Sequence, residues 1–226
     1  MQPDLLIFDF DGVVADSETL SNVLLAETLT AFGLPTTTDQ SMQRYMGRRW
    51  SDNLVLIGQH FGDQVPPNFP GDFETALRGV TRERMRAEVE PVMGVAAFIA
   101  DHAHVRLCIA SSSSPEWLAD MTHKFGLASH FDGRLFSATN VARGKPAPDI
   151  FLHAADGMGI AASRRCVVIE DSAAGVTGAK AAGMTAIGFC GASHVRSGHD
   201  AMLRAAGADA IATAWSDVPG IIARLV

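Results

Sequence analysis

Cysteine is scarce in this chain, with Cys108, Cys166 and Cys190 the only three. They are odd in number, sit inside apolar runs and show no CxxC spacing. That excludes a disulfide scaffold and a zinc ribbon and points to buried, reduced thiols in a reducing compartment. Basic residues are short as well: 18 Lys and Arg stand against 25 Asp and Glu, for a net charge of −7, and none form a run. A nucleic-acid surface is therefore not expected, whereas a small phosphorylated molecule needs only a local positive site. Long apolar stretches are missing too. No segment approaches the ~20 apolar residues of a membrane span. The start, Met-Gln-Pro-Asp, passes directly into a short strand-like run and lacks the basic, extended apolar pattern of a signal peptide. A cytoplasmic protein without membrane or nucleic-acid partners is the expectation. The eight histidines, among them His102, His104, His123 and His130, form neither HExxH nor a zinc spacing, and surface or helix-end places are expected for them.

What is present is a repeating alternation. Leu5-Leu6-Ile7-Phe8 is a continuous apolar run stopped by acid and glycine, the pattern of a strand buried on both faces. Val105 to Ala110, Cys166 to Ile169 and Met184 to Phe189 repeat it, with helical stretches such as Pro115 to Phe125 and Ser172 to Ala182 between them. The fold class that follows is α/β, with a doubly wound parallel, Rossmann-like sheet. From Ser17 to Glu90 the rhythm breaks. Leu20, Val23, Leu24 and Leu29 have helical spacing, no strand follows, and Gly33-Leu34-Pro35, Pro66-Pro67 and Phe69-Pro70-Gly71 punctuate about four helices. The expected organisation is a core of residues 1–16 and 91–226 with an all-helical insertion at 17–90.

Three apolar runs end in polar residues, which would emerge at the carboxyl edge of a parallel sheet, where open α/β folds bind ligands. Asp9 and Asp11 follow the first, and Gly12 permits a tight departure so that both carboxylates reach one pocket. An aspartate can attack phosphorus while a second carboxylate protonates the leaving oxygen and later deprotonates water. A lone DxD is otherwise a pair of caps or solvated acids, and it lacks the remaining ligands of an EF-hand. Glu170 and Asp171 follow another run and with Asp9 would gather oxygen ligands for magnesium; the plain alternative is the acidic start of a helix. Lys145, between Gly144 and Pro146, can reach across the site to a phosphate, or be a solvated loop lysine. Ser111 ends a strand where hydroxyl and backbone N–H groups bind phosphate, or it caps a helix.

Taken together and in this order, Asp9-Phe10-Asp11-Gly12-Val13-Val14, Ser111, Lys145-Pro146 and Glu170-Asp171-Ser172 resemble the four motifs of the haloacid dehalogenase superfamily. Asp16-Ser17-Glu18, Gly144 to Asp149, Ala174-Gly175 and Ala181 to Met184 resemble its phosphatase and β-phosphoglucomutase branch, in which a helical cap follows the first motif. The resemblance implies Asp9 as nucleophile and Asp11 as general acid and base, lending its carbonyl to the metal. It further implies a Mg2+ site completed by Asp9, Glu170 and Asp171. Lys145 and Ser111 would hold phosphoryl oxygens, helped by backbone N–H groups near Asp11, Gly12 and Ser112.

Two departures favour hydrolysis over mutase chemistry. β-Phosphoglucomutases carry a histidine in the first cap helix, where this chain has Ser21, and a lysine near the second motif, where it has Ser114 and Pro115. Dehalogenation is disfavoured because the superfamily's dehalogenases lack the second aspartate. The expected activity is thus a magnesium-dependent phosphatase of a small phosphorylated metabolite, acting through an aspartyl-phosphate. A sugar phosphomutase is the nearest rival, and a non-catalytic phosphate-sensing module the remote one. A monomer or weak homo-oligomer is expected. Arg48 and Arg49, in Gly47-Arg48-Arg49-Trp50 of the insertion, offer two guanidiniums to an anionic leaving group; an ordinary solvated helix start is the alternative. Gly157-Met158-Gly159-Ile160-Ala161-Ala162 matches GxGxxA in letters alone, since it follows a helical stretch and not a strand. Trp117 is expected to pack in the core or at the cap.

Overall fold

The computed structural model describes residues 2–46 and 50–226. Its sheet has six parallel strands, β1 (Leu5–Phe8), β2 (Leu107–Ser111), β3 (Leu135–Ser137), β4 (Cys166–Glu170), β5 (Thr185–Phe189) and β6 (Ala210–Ala212), in the order β3-β2-β1-β4-β5-β6. Every residue of β1, β2, β4 and β5 is buried, as strands covered on both faces must be. Side chains alternate between the faces. Leu5 and Ile7 join Cys108, Ala110 and Val168 against Phe151, Ala154, Val176 and Ala179 of the helices on one side. On the other, the Phe8 ring meets Phe98, Phe131 and Trp215 at centroid distances of 6.1, 5.9 and 5.7 Å. Burying one such ring stabilises the fold by about 1.5–3 kcal/mol.

The chain leaves β1 to build β2 and β3 on one side, then crosses back to build β4 to β6 on the other. The order therefore reverses between β1 and β4, and a crevice opens there at the carboxyl edge. Register fixes what stands at its rim. Phe8 pairs with Ile109 on one side and Ile169 on the other, and the Asp9 N–H donates to the Ile169 carbonyl at 3.0 Å. Asp9, Ser111 and Glu170 therefore emerge side by side. The edge strands β3 and β6, three residues each, are too short to stand out as apolar runs in the sequence.

The chain divides into one unit of Met1–Asp16 with Glu90–Val226 and a second of Ser17–Val89. Among the described residues the second holds four α-helices, Glu18–Ala31, Thr38–Tyr45, Trp50–Phe61 and Gly71–Glu88. Thr37 starts the second of these with a reciprocal capping box: its Oγ1 accepts the Gln40 N–H at 3.2 Å, and Gln40 Oε1 accepts the Thr37 N–H at 3.0 Å. Leu25, Leu29, Leu34, Tyr45, Ile57, Phe61 and Phe73 form the unit's own core, and Trp50 stacks on Phe73 at 6.1 Å. The last helix runs on through Glu88, almost to the end of the insertion. In the first unit the Asp16 N–H donates to Glu90 O at 2.9 Å and the Val92 N–H to Val14 O at 2.8 Å, keeping the outgoing and returning chain side by side.

Among the described residues no helix is long and apolar enough to cross a membrane. Cys108 and Cys166 are buried free thiols and Cys190 is a half-buried one; burial pushes the Cys108 thiol above its usual range, so it stays protonated. The GxGxxA look-alike is the end of the helix Asp149–Gly157 and the loop after it.

Candidate active site

Beyond β1 the chain turns at once. The Phe10 carbonyl accepts the N–H groups of Val13, Val14 and Ala15 at 3.3, 2.8 and 2.9 Å, winding residues 10–15 into one tight loop. Gly12 takes φ +78°, a left-handed conformation costly for any residue with a Cβ. Space binds it equally: a Cβ there would stand 1.9 Å from Asp171 Oδ2 and 2.9 Å from His194 Cε1. The Gly12 N–H donates to the Ala15 carbonyl at 2.8 Å, which commits the donor that the sequence reading assigns to phosphate. Lacking a Cβ, Gly12 leaves room for Asp171 and His194.

Asp9 is buried, and Lys145 Nζ lies 2.7 Å from its Oδ1 and 2.7 Å from Oε2 of the wholly buried Glu170. The lysine side chain is only 7% exposed and its Nζ stands 5.2 Å from the centroid of the Phe151 ring. One carboxylate oxygen each from Asp9, Glu170 and Asp171 lie within 4.8 Å of one another. Three buried carboxylates thus face one ammonium. Burial works against the Lys145 charge, yet Asp9 and Glu170 outweigh it and hold the ammonium above its ordinary pKa. Burial, then repulsion from Asp9, pushes Glu170 up despite Lys145, and the same two causes raise Asp171. These are hard oxygen donors carrying surplus negative charge, the donor set that fits a divalent cation.

Glu170 is placed by its own helix start. Its Oε1 accepts from the Ser172 N–H at 3.1 Å and the Ser172 Oγ at 2.7 Å, while Ser172 Oγ caps the helix Ala173–Ala181 by accepting the Gly175 N–H at 3.0 Å. The helix-start role weighed for this stretch thus falls to Ser172.

The carboxylate of Asp11 stands outside the trio. Ser113 Oγ donates to its Oδ2, and Trp117 Nε1 donates to its Oδ1 at 3.3 Å. Trp117 is therefore more than the packing residue its surroundings in the sequence suggest. Ser111 is buried at the end of β2, and its Oγ accepts the Ser113 N–H at 3.1 Å. The helix cap is Ser114, whose Oγ accepts the Trp117 N–H at 3.2 Å, so the capping alternative for Ser111 passes to its neighbour. Ser112 is exposed beside them. Gly47, Arg48 and Arg49 lie outside the described residues.

Two histidines stand here: His199 opens a helix, as expected of the histidines, whereas His194 is buried instead of lying at a surface or helix end. His194, 2% exposed, sets Nε2 3.1 Å from Asp171 Oδ2, and His199 Nε2 lies 2.7 Å from the Asp171 carbonyl oxygen. Both follow the apolar run of β5 within ten residues, and this position past the next strand of the sheet was the signal available for finding them. Ser113 had a comparable signal in the Ser111 to Ser114 run.

A family model described as haloacid dehalogenase-like hydrolase matches residues 6–189. The chain is 29% identical to fructose-1-phosphate phosphatase YqaB of Escherichia coli strain K12, over 80% of this chain and 94% of that protein. In structure it resembles a conserved haloacid dehalogenase-like protein of unknown function from Agrobacterium tumefaciens, with TM-score 0.87, 35% identity and 98% coverage of both chains. A haloacid dehalogenase family hydrolase from Deinococcus radiodurans, solved with bound phosphate and sodium, gives TM-score 0.84 at 29% identity, covering 98% of this chain and 96% of that one. The doubly wound sheet, with an acidic, lysine-bridged crevice at its switch point, makes this a protein of the α/β class. The chain belongs to the haloacid dehalogenase-like hydrolase family, on its phosphatase branch.

Proposed function

We propose that this enzyme hydrolyses the phosphate monoester of a small metabolite, a sugar phosphate or similar compound, with Mg2+ as cofactor and an aspartyl-phosphate as intermediate. The observation that carries the reading is Lys145 lying 2.7 Å from both Asp9 and Glu170, at a crevice shared with Asp171 and Ser111. Asp9 attacks phosphorus with a carboxylate lone pair, and the bond from phosphorus to the leaving oxygen breaks. Asp11 gives that oxygen its proton, so the product leaves as an alcohol. Water then attacks the phosphorus, Asp11 takes its proton, and the bond to Asp9 breaks to release inorganic phosphate. Lys145 and the Ser111 end of β2 bind the phosphoryl oxygens, Lys145 offsetting charge on the transferring group. Asp9, Glu170, Asp171 and the Asp11 carbonyl would hold Mg2+, which when bound neutralises phosphoryl charge and orients the group.

The substrate class rests on YqaB, whose name gives fructose 1-phosphate, and on the phosphate bound in the Deinococcus structure. The test is a panel of phosphorylated metabolites incubated with magnesium and with EDTA. Metal-dependent release of inorganic phosphate is expected. Conversion of β-glucose 1-phosphate to glucose 6-phosphate without release would move the reading to a mutase, and binding without turnover to a sensing module.

A further inference from the structure

We infer that His194 and His199 are positioning residues for Asp171, so that the loop after β5 sets the affinity of the acidic cluster for its divalent cation. The inference deepens the proposed function and rests on its reading of Asp171 as a metal ligand.

Asp171 is gripped from two directions by one short segment. His194 reaches its side chain, Nε2 standing 3.1 Å from Oδ2. His199 reaches its backbone, Nε2 standing 2.7 Å from the carbonyl oxygen. A backbone carbonyl only accepts, so His199 carries its hydrogen on Nε2, and the ionised form of Asp171, the form that would hold a cation, likewise accepts from Nε2 of His194. The two rings meet edge to face at 5.5 Å, so neither turns without disturbing the other. Gly12 closes the remaining side, since the room a Cβ would take there is filled by Asp171 Oδ2 and His194 Cε1.

The segment is itself tied down. Asp16 Oδ1 accepts the Ser193 N–H at 3.1 Å and the Ser193 Oγ at 2.8 Å, on the residue immediately before His194. Gly198, at φ +87°, starts the helix His199–Ala205 and turns His199 back toward Asp171. Arg196 Nη1 donates to the carbonyls of Ser193 and Val195 at 2.9 and 3.2 Å, folding the loop on itself. The loop is therefore anchored to the turn after Asp11 and to the end of β4 together, and Asp171 lies where the two anchors converge.

A ligand whose rotamer is fixed before binding loses less freedom when the cation arrives, and partners that orient ligands commonly account for about 10–100-fold in metal affinity. The contact is separable from bulk and polarity by two amide substitutions. His194→Gln places an N–H donor near the position of Nε2 and keeps the bond to Oδ2. His194→Asn places it near Nδ1, away from Asp171. Mg2+ dissociation constants are measured by isothermal titration calorimetry on the metal-free proteins, with substrate KM at saturating Mg2+ as the second readout. His194→Asn is expected to bind Mg2+ about 10–100-fold more weakly, with His194→Gln within a few-fold of the parent and KM held in both. Equal weakening in Gln and Asn, or parental affinity in Asn, overturns the positioning role alone. A parent protein that binds no Mg2+ overturns it together with the metal reading beneath it.

Discussion

Gly175 lacks a side chain at the place where the carboxyl group of Glu170 stands: a Cβ there would come within 1.9 Å of Glu170 Cδ and 2.1 Å of its Oε2. Glu170 is wholly buried and anchored by Ser172 and Lys145, so it has nowhere to retreat. Gly175→Ala is expected to push Glu170 off Lys145, destabilising the protein by roughly 1–3 kcal/mol through overpacking and weakening Mg2+ binding. Thermal melting with calorimetric titration of Mg2+ checks both, and an unchanged metal affinity would remove Glu170 from the proposed cation site.

Trp117 and Ser113 hold the two oxygens of Asp11. If Asp11 moves the proton, its aim depends on them. Hydrogen bonds to a charged group contribute about 1.5–3 kcal/mol, so Trp117→Phe is expected to lower kcat by about tenfold, with KM little altered. Ser113→Ala should act in the same direction. Steady-state kinetics on the best substrate of the panel decides it; a rise in KM with kcat preserved would assign Trp117 to binding instead.

The interior strands were legible because burial on both faces writes itself as unbroken apolar runs, of which Leu5-Leu6-Ile7-Phe8 is the clearest. The punctuation that stopped those runs also marked Asp9, Ser111 and Glu170 as rim residues. Edge strands of three residues left no such trace. What reached the site from further along the chain was hidden for a different reason. His194, His199 and Trp117 reach the site through directed side-chain hydrogen bonds, and a direction is set by tertiary structure, not by spacing. Gly175 was visible as a letter of the motif, but the reason for it, the room Glu170 takes, appears only in three dimensions.

Asp9→Asn retains the volume of the side chain and its ability to accept from Lys145 while removing the proposed nucleophile. The variant is expected to fold, keep a melting temperature near the parent's and lose turnover below detection. Phosphate release and circular dichroism read the two halves of the expectation. An active Asp9→Asn protein sinks the nucleophile assignment.

Lys145 is the only ammonium hydrogen-bonded to Asp9 and Glu170 among the described residues. Replacing it with methionine fills its space but leaves buried carboxylates uncompensated, an imbalance that typically costs about 3–5 kcal/mol. Lys145→Met should therefore melt well below the parent in EDTA and lose activity in any buffer. Magnesium should restore part of the lost melting temperature but none of the turnover, since the cation replaces the missing charge without replacing the proposed phosphate ligand.

The same surplus charge gives the protein a pH dependence with a definite sign. Glu170 is raised from 4.5 to about 8, by burial first and Asp9 second, and Asp171 is raised with it. A carboxyl whose pKa is higher folded than unfolded binds more protons in the native state, so the stability it supports is full below its unfolded pKa and is lost as pH rises through the folded one. Lys145, also raised, contributes in the same sense but is lost only above this window. In EDTA the melting temperature should therefore fall between about pH 5 and about pH 8, with ~2–4 °C for each ~1 kcal/mol removed. At the proposed site magnesium would bind the deprotonated cluster, so the melting temperature it adds should grow over the same interval. Differential scanning fluorimetry across that range, with EDTA and with saturating Mg2+, measures the difference, in which the titration of all other groups cancels to first order. A magnesium gain that stays flat or shrinks as pH rises would mean that the cation binds away from Glu170 and Asp171.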